Sequence, residues 1–210
     1  GLYDPSRVLT FDDVEVEWIA PEKDASWLML QLNGKIHVDN GASLTFKFDS
    51  KATKTHCAIY MHNGSSIDVT DGSTFKILGF NTAGITGDAI QIDQSTTVNI
   101  KVSGKSTFLI DGTNRGYANA PIICVEKSTF TVQNCTSNAS NGGDFTAIDS
   151  TILYQNNFGN GLSTRSLDIQ NSNVASLNNG AYGVYARDQL RVDSSSTLDV
   201  IGNSWRGDWS

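Results

Sequence analysis

The sequence predicts an all-β solenoid, a single stack of rungs in which each rung is about three short strands. Two observations predict it. Short apolar alternations of period two recur along the chain, and they recur at a fixed spacing of about 31–33 residues in its first half. A third observation locates the corners: each alternation is bounded by Gly, Asn, Asp or Ser.

The elements follow in order. Phe11–Ile19 alternates Val14, Val16 and Trp18 with Asp13, Glu15 and Glu17, which reads as a strand capping the open end of the stack. Residues 1–25 are therefore assigned to an N-terminal cap and 26–210 to the solenoid. The segment around Pro21–Ala25 is the best helix candidate and reads equally as a loop. The first full rung has Leu28, Leu30 and Leu32, then Ile36 and Val38, then Leu44, Phe46 and Phe48. The pattern returns at Ile59, Met61, Ile67, Val69, Phe75 and Ile77. It returns again at Ile90, Ile92, Val98, Ile100, Val102, Phe108 and Ile110. Corners are expected at Asn40-Gly41, Asn63-Gly64, Asp71-Gly72 and Ser103-Gly104, where Gly and Asn tolerate positive φ.

Past residue 120 the period shortens to roughly 20–27 residues. Ile122 and Ile123 open a fourth rung carrying Phe130 and Val132. Ala147 and Ile148 open a fifth, with Ile152. Leu167, Ile169 and Val174 mark a sixth, and Val184, Leu190, Val192, Leu198 and Val200 a seventh. The expected total is about six to seven rungs. No stretch carries helical apolar spacing over a useful length.

The motifs Gly72-Ser73-Thr74-Phe75-Lys76-Ile77, Gly104-Lys105-Ser106-Thr107-Phe108-Leu109-Ile110 and Lys127-Ser128-Thr129-Phe130-Thr131-Val132 resemble right-handed parallel β-helix proteins of the pectin-lyase-like superfamily. More narrowly, they resemble the pectate-lyase-like adhesive regions of bacterial surface proteins. The resemblance covers roughly residues 26–205. It implies a single right-handed, three-sided parallel β-helix that is secreted or at the cell surface and belongs to a larger surface protein. Members of that superfamily include polysaccharide lyases, glycoside hydrolases, phage tailspikes and non-catalytic adhesins. No catalytic signature of one member family is matched residue by residue.

Composition narrows the partners. The net charge is −7 and no basic run occurs, which argues against nucleic acid. No apolar stretch approaches 18 residues, so no membrane-inserted segment is expected. The chain starts without an initiator Met and ends in what reads as a corner loop, so it is expected to continue in a parent protein. The 3 cysteines, Cys57, Cys124 and Cys135, are an odd number, which leaves at least one unpaired within the chain. Cys124, within Ile122-Ile123-Cys124-Val125, reads as a small buried side chain.

Stacking turns equivalent positions into ladders, and two ladders carry candidate chemistry. The loops after the third strands hold aromatics among amides and Arg: Asn114, Arg115, Tyr117, Tyr182, Trp205 and Trp209 are the expected ligand-binding residues. An aromatic face packs on a pyranose, while amides and guanidinium bond its hydroxyls. The bland alternative is that the aromatics cover the flank and the Asn residues form turns or stacked amides. The second ladder is acidic. Asp93, Glu126, Asp149 and Asp188 follow the first strand of successive rungs, and Asp88 and Asp144 precede it. Asp149 and Asp188 would be the catalytic pair of a glycoside hydrolase or lyase. The same ladder could hold Ca²⁺; otherwise no cofactor or metal is expected. Its bland alternative is turn-forming Asp at strand ends.

The leading expectation is a non-catalytic, adhesin-like domain that binds a glycan or host ligand through stacked corner loops. A carbohydrate-active enzyme, or a fragment of one, is the alternative. A purely structural stalk is the third reading.

Overall fold

The computed structural model describes residues 4, 6–19, 28–47, 57–79, 81–82, 85–92 and 97–204. Their regular structure is all strand, arranged in three all-parallel sheets that wrap one apolar core, with a small antiparallel hairpin. Consecutive strands go to different sheets, so the chain winds as a solenoid. Among the described residues no helix is long and apolar enough to cross a membrane.

Face one is an eight-stranded sheet of β1 (Val8–Asp12), β4 (Lys35–Asp39), β7 (Ser66–Val69), β12 (Asn99–Val102), β15 (Ile122–Val125), β18 (Asp144–Ile148), β20 (Leu162–Gln170) and β22 (Val184–Val192). Face two, also eight-stranded, is β2 (Glu15–Ile19), β5 (Ser43–Lys47), β8 (Thr74–Leu78), β13 (Thr107–Asp111), β16 (Thr129–Gln133), β19 (Thr151–Gln155), β21 (Asn173–Leu177) and β23 (Thr197–Ile201). Face three has five strands: β3 (Leu28–Leu32), β6 (Cys57–Met61), β11 (Asp88–Ile92), β14 (Tyr117–Ala118) and β17 (Ser140–Asn141). The hairpin is β9 (Asn81–Thr82) with β10 (Ile85–Thr86).

Register follows the apolar pattern, because a slip of one residue would turn every core side chain outward. On face two, Leu44, Phe75, Phe108 and Phe130 pair in succession, then Ile152 and Val174, all buried. The rings of Trp18, Phe46, Phe75, Phe108 and Phe130 run up the inside of this face at centroid spacings of 5.4, 5.7, 4.7 and 5.1 Å. Cross-layer bonds step 31, then 33, then 22 residues, so the shortening after residue 110 is real.

The corners are built as expected at Asn40 (φ 54), Gly41 (φ 77), Gly64 (φ 80), Asp71 (φ 50), Gly72 (φ 74) and Gly104 (φ 66). Two buried ladders stabilise them. Between faces one and two, Ser73, Ser106, Ser150 and Ser172 donate their backbone N–H to the hydroxyl of the next serine, the last being Ser196, at 3.0–3.2 Å. Between faces two and three, Asn157, Asn179 and Asn203 pass amide bonds up the stack at 2.8 and 2.9 Å. Each Asn carbonyl also takes the backbone N–H of the layer before it. These groups satisfy donors that no strand partner reaches.

Two expectations change. First, Phe11–Ile19 is not one strand: β1 and β2 turn a corner at Asp13 (φ 50) and join β4 and β5 in parallel register. They continue the two long sheets by one layer. Second, Ile122 and Ala147 do not lie above Ile59 and Ile90. Ile122 pairs Ile100 on face one, whereas Ile90 pairs Tyr117, which pairs Ser140. Face three has shrunk there to two-residue strands. The cysteines are all free and buried, Cys124 among them as its apolar neighbours suggest. Burial is the main cause raising all three thiol pKa values, that of Cys124 to about 12 and that of Cys135 to about 11.

Candidate functional site: a polar groove where face three narrows

The outward column of face three is Gln31, Tyr60, Gln91, Ala118, Asn141, Ser163 and Tyr185, one residue per layer. Layers stand about 4.8 Å apart, so Tyr60 and Tyr185 are about 24 Å apart along the stack. Between them the column drops to Ala118, Asn141 and Ser163, and the surface sinks.

The sunken end is a groove of ≈ 430 Å³, lined by Asn119, Asn141, Asp144, Arg165, Tyr185 and Arg187 above a Gly142-Gly143 floor. The floor needs glycine. Gly143 has φ +84, and a Cβ there would stand 2.3 Å from the Ala120 carbonyl oxygen. A side chain there would strain the turn and collide with the backbone of the neighbouring layer.

One wall is charged and paired. Arg165 donates from Nε to Asp144 Oδ1 at 2.8 Å, and its Nη2 donates to Oδ2. Arg165 occupies the irregularity between Thr164 and Ser166 where β20 turns from face three to face one. The matching irregularity in β22 sets out Arg187 and Asp188, and Arg187 Nε donates to Asp188 Oδ1 at 2.8 Å. The bond from Arg165 holds the Asp144 carboxyl below its ordinary pKa, and the bond from Arg187 does the same for Asp188. Tyr185 is half exposed and its ring lies 5.6 Å from that of Tyr182.

The residues expected to act divide as follows. Asn114 and Arg115 come together, but around Asp88. Arg115 Nε and Nη2 reach both Asp88 oxygens at 2.5–3.0 Å, and Asn114 Nδ2 donates to Oδ1 at 3.1 Å. Asp88 is almost fully covered, so this cluster ties the start of β11 to the corner before β14. Tyr182 is exposed and follows the same corner, three layers on. Tyr117 is corrected: it is 2 % exposed, and its hydroxyl meets that of Tyr154 at 2.6 Å inside the core. Its alternation within a two-residue strand points the ring inward. Trp205, Trp209 and Asp93 lie outside the described residues.

The acidic ladder is also corrected. Glu126 (φ 61) and Asp149 (φ 48) are left-handed turn residues at the corner between faces one and two, and Asp149 caps the end of β18. Asp188 lies near the level of Asp144, at the start of that sheet. Asp149 and Asp188 are thus some five positions apart along the strand direction, about 16 Å. That exceeds the ~6.5–9.5 Å carboxyl spacing of an inverting glycosidase. Among the described residues no group of three or more His, Cys, Asp or Glu is disposed to hold a metal ion.

Asn141, Arg165, Tyr185 and Arg187 were missed as site residues. Two-residue strands show no alternation, so nothing in the pattern placed Asn141 beneath Ser163. The one available signal was Asn141-Gly142-Gly143-Asp144, a double glycine beside an acid.

Fold and site together define a class: an all-parallel β-solenoid with a polar, aromatic-edged groove on its narrowest face. Comparison with protein-family models, with curated proteins and with solved structures finds no match for the chain.

Proposed function

We propose that this chain is a secreted or cell-surface carbohydrate-binding domain built as a right-handed parallel β-helix, adhesin-like, and part of a larger surface protein. The observation that carries the reading is the groove beside Tyr185. It offers an exposed aromatic face, two amides and two guanidinium groups around a floor without side chains. Aromatic rings stack on the C–H face of a sugar, and amides and guanidinium groups bond hydroxyls. The outward column runs along the stack, so an extended glycan would lie across layers and meet one residue of the column about every 4.8 Å.

The enzymatic alternative now rests on Asp144 and Asp188, two layers apart. Glycoside cleavage needs one carboxyl held protonated near neutral pH. Both of these are pushed the other way by their arginines. Binding is therefore a better reading than glycoside hydrolysis, and a lyase reading has no residue of its own in the groove's favour.

A broad glycan array tests it. The chain is expected to retain glycans without releasing reducing ends. Tyr185→Ala and Asn141→Ala should each weaken binding about ten-fold, the size of a lost stacking contact or buried hydrogen bond. An empty array, or binding untouched by both substitutions, overturns the proposal.

A further inference from the structure

We infer that the groove selects neutral glycans over uronate-bearing ones, and that Asp144 and Asp188 set this choice by occupying Arg165 and Arg187. The inference rests on the reading of the groove as a glycan site.

The geometry is specific. Each arginine turns its Nε edge to a carboxylate: Arg165 to Asp144 on the adjacent strand, Arg187 to Asp188 beside it. Arg187 also places Nη2 3.2 Å from Asp188 Oδ2, so both pairs are bidentate. The side-on fork of each guanidinium, Nε with Nη2, is therefore already filled, and a carboxylate ligand would be left the end-on edge beside a bound carboxylate. Each pair keeps further guanidinium N–H groups and carboxylate lone pairs beside one another. A sugar hydroxyl both donates and accepts, so it can bridge such a pair. A uronate oxygen only accepts, and in the groove it would meet the Asp144 carboxylate and an Arg187 whose charge Asp188 already balances.

Charge agrees with geometry. The four groups sum to zero, and the neighbouring pair on face one, Arg191 with Asp168 at 3.9 Å, adds nothing. The chain as a whole carries −7, which repels an acidic polymer at long range. An acid-selective site would need at least one arginine without its carboxylate, and here both have one.

The arrangement makes Asp188 a specificity-determining residue. Its side chain is half exposed and hydrogen-bonds Arg187 alone, with the charge of Arg165 nearby, so Asp188→Asn leaves the core intact. That substitution frees the Arg187 fork and leaves the wall with one net positive charge.

The test measures the affinity of the whole chain for two probe sets at about 0.15 M salt, where long-range effects are screened. One set is neutral cello-, xylo- and manno-oligosaccharides. The other is oligogalacturonate and hyaluronan oligosaccharides. The unmodified chain should bind at least one neutral probe and bind uronates at least about ten-fold more weakly. Asp188→Asn should raise uronate affinity roughly five- to ten-fold, the effect of one close charge near a protein surface. Asp199→Asn makes the same charge change on face two and should give no gain. Equal binding of both sets by the unmodified chain, or an equal gain in Asp199→Asn, overturns the selectivity and leaves the glycan site standing. No probe bound by any of the three chains overturns both.

Discussion

Asn179 is the position where removing one side chain should tell most about what holds the stack together. Its side chain is 1 % exposed and makes five hydrogen bonds. Oδ1 accepts from the Asn157 backbone N–H at 3.1 Å and from Asn157 Nδ2 at 2.8 Å. Nδ2 donates to Tyr154 O, Ser176 Oγ and Asn203 Oδ1 at 2.9–3.2 Å. Asn179→Ala removes all five, but the partners suffer unequally. Asn157 Nδ2 keeps the Val132 carbonyl, and Asn203 Oδ1 keeps the Asn179 backbone N–H. The Asn157 backbone N–H has only the Asn179 carbonyl among these bonds. A buried orphan costs about 1–3 kcal/mol, and the lost bonds add about 1 kcal/mol each where the partner is not left stranded. The expected loss is about 3–4 kcal/mol, a large part of the ~5–15 kcal/mol that holds a domain folded. Asn173→Ala is the control: Asn173 is exposed, accepts one bond from Thr197, and should change stability by less than about 0.5 kcal/mol. Urea unfolding followed by circular dichroism measures both. A loss below about 1 kcal/mol for Asn179→Ala, at unchanged m, would show that the amide ladder is not what closes this corner.

Three further outcomes follow from the same structure. Phe108 is fully buried between Phe75 and Phe130, so Phe108→Ala should cost about 4 kcal/mol, while the outward Leu109→Ala should cost far less; equal losses in urea would contradict the assigned register. The three cysteines are buried and their thiol pKa values raised, so a thiol reagent at pH 8 should label none in the native chain and all of them in guanidinium; fast native labelling would contradict the core. The Asp144 carboxyl has a folded pKa below its unfolded one, so its contribution to stability is full above the ordinary carboxylate range and is lost as pH falls through the folded value. Asp144→Asn should accordingly lessen the slope of acid unfolding below about pH 4, and an unchanged slope would show that the Arg165 bond does not persist in solution.

How much of this was legible in the sequence depends on which face a residue serves. The strands of faces one and two are four to nine residues long, and most have a buried side, so Ile36, Ile67 and Ile100, or Phe75, Phe108 and Phe130, declare the layers by themselves. Face three declares itself only while its strands are long, through Ile59 and Ile90. Once it narrows to Tyr117–Ala118 and Ser140–Asn141, there is no second apolar residue to set a period. With Ile122 taken as the successor of Ile90, the acids fall at the wrong corner, Asp149 joins Asp188, and Asp144 is left without its arginine. The same register turns Tyr117, whose hydroxyl is buried against Tyr154, into a surface residue.

Asparagine misled for a related reason. Asn157 and Asn179 are buried bonding groups, Asn156 and Asn178 hold left-handed turns, and Asn141 faces solvent, yet all sit among similar polar neighbours. Their roles differ only in what lies one layer up or down, some 22 residues away in sequence. The narrowing that hid the register also makes the groove. A face with two residues per layer has no room for a flat sheet, so its surface dips between the flanking corners. The corners then set Tyr185, Arg165 and Arg187 around the dip. A site formed by the loss of a pattern leaves no pattern to read, which is why the fold was visible from the repeat and the site was not.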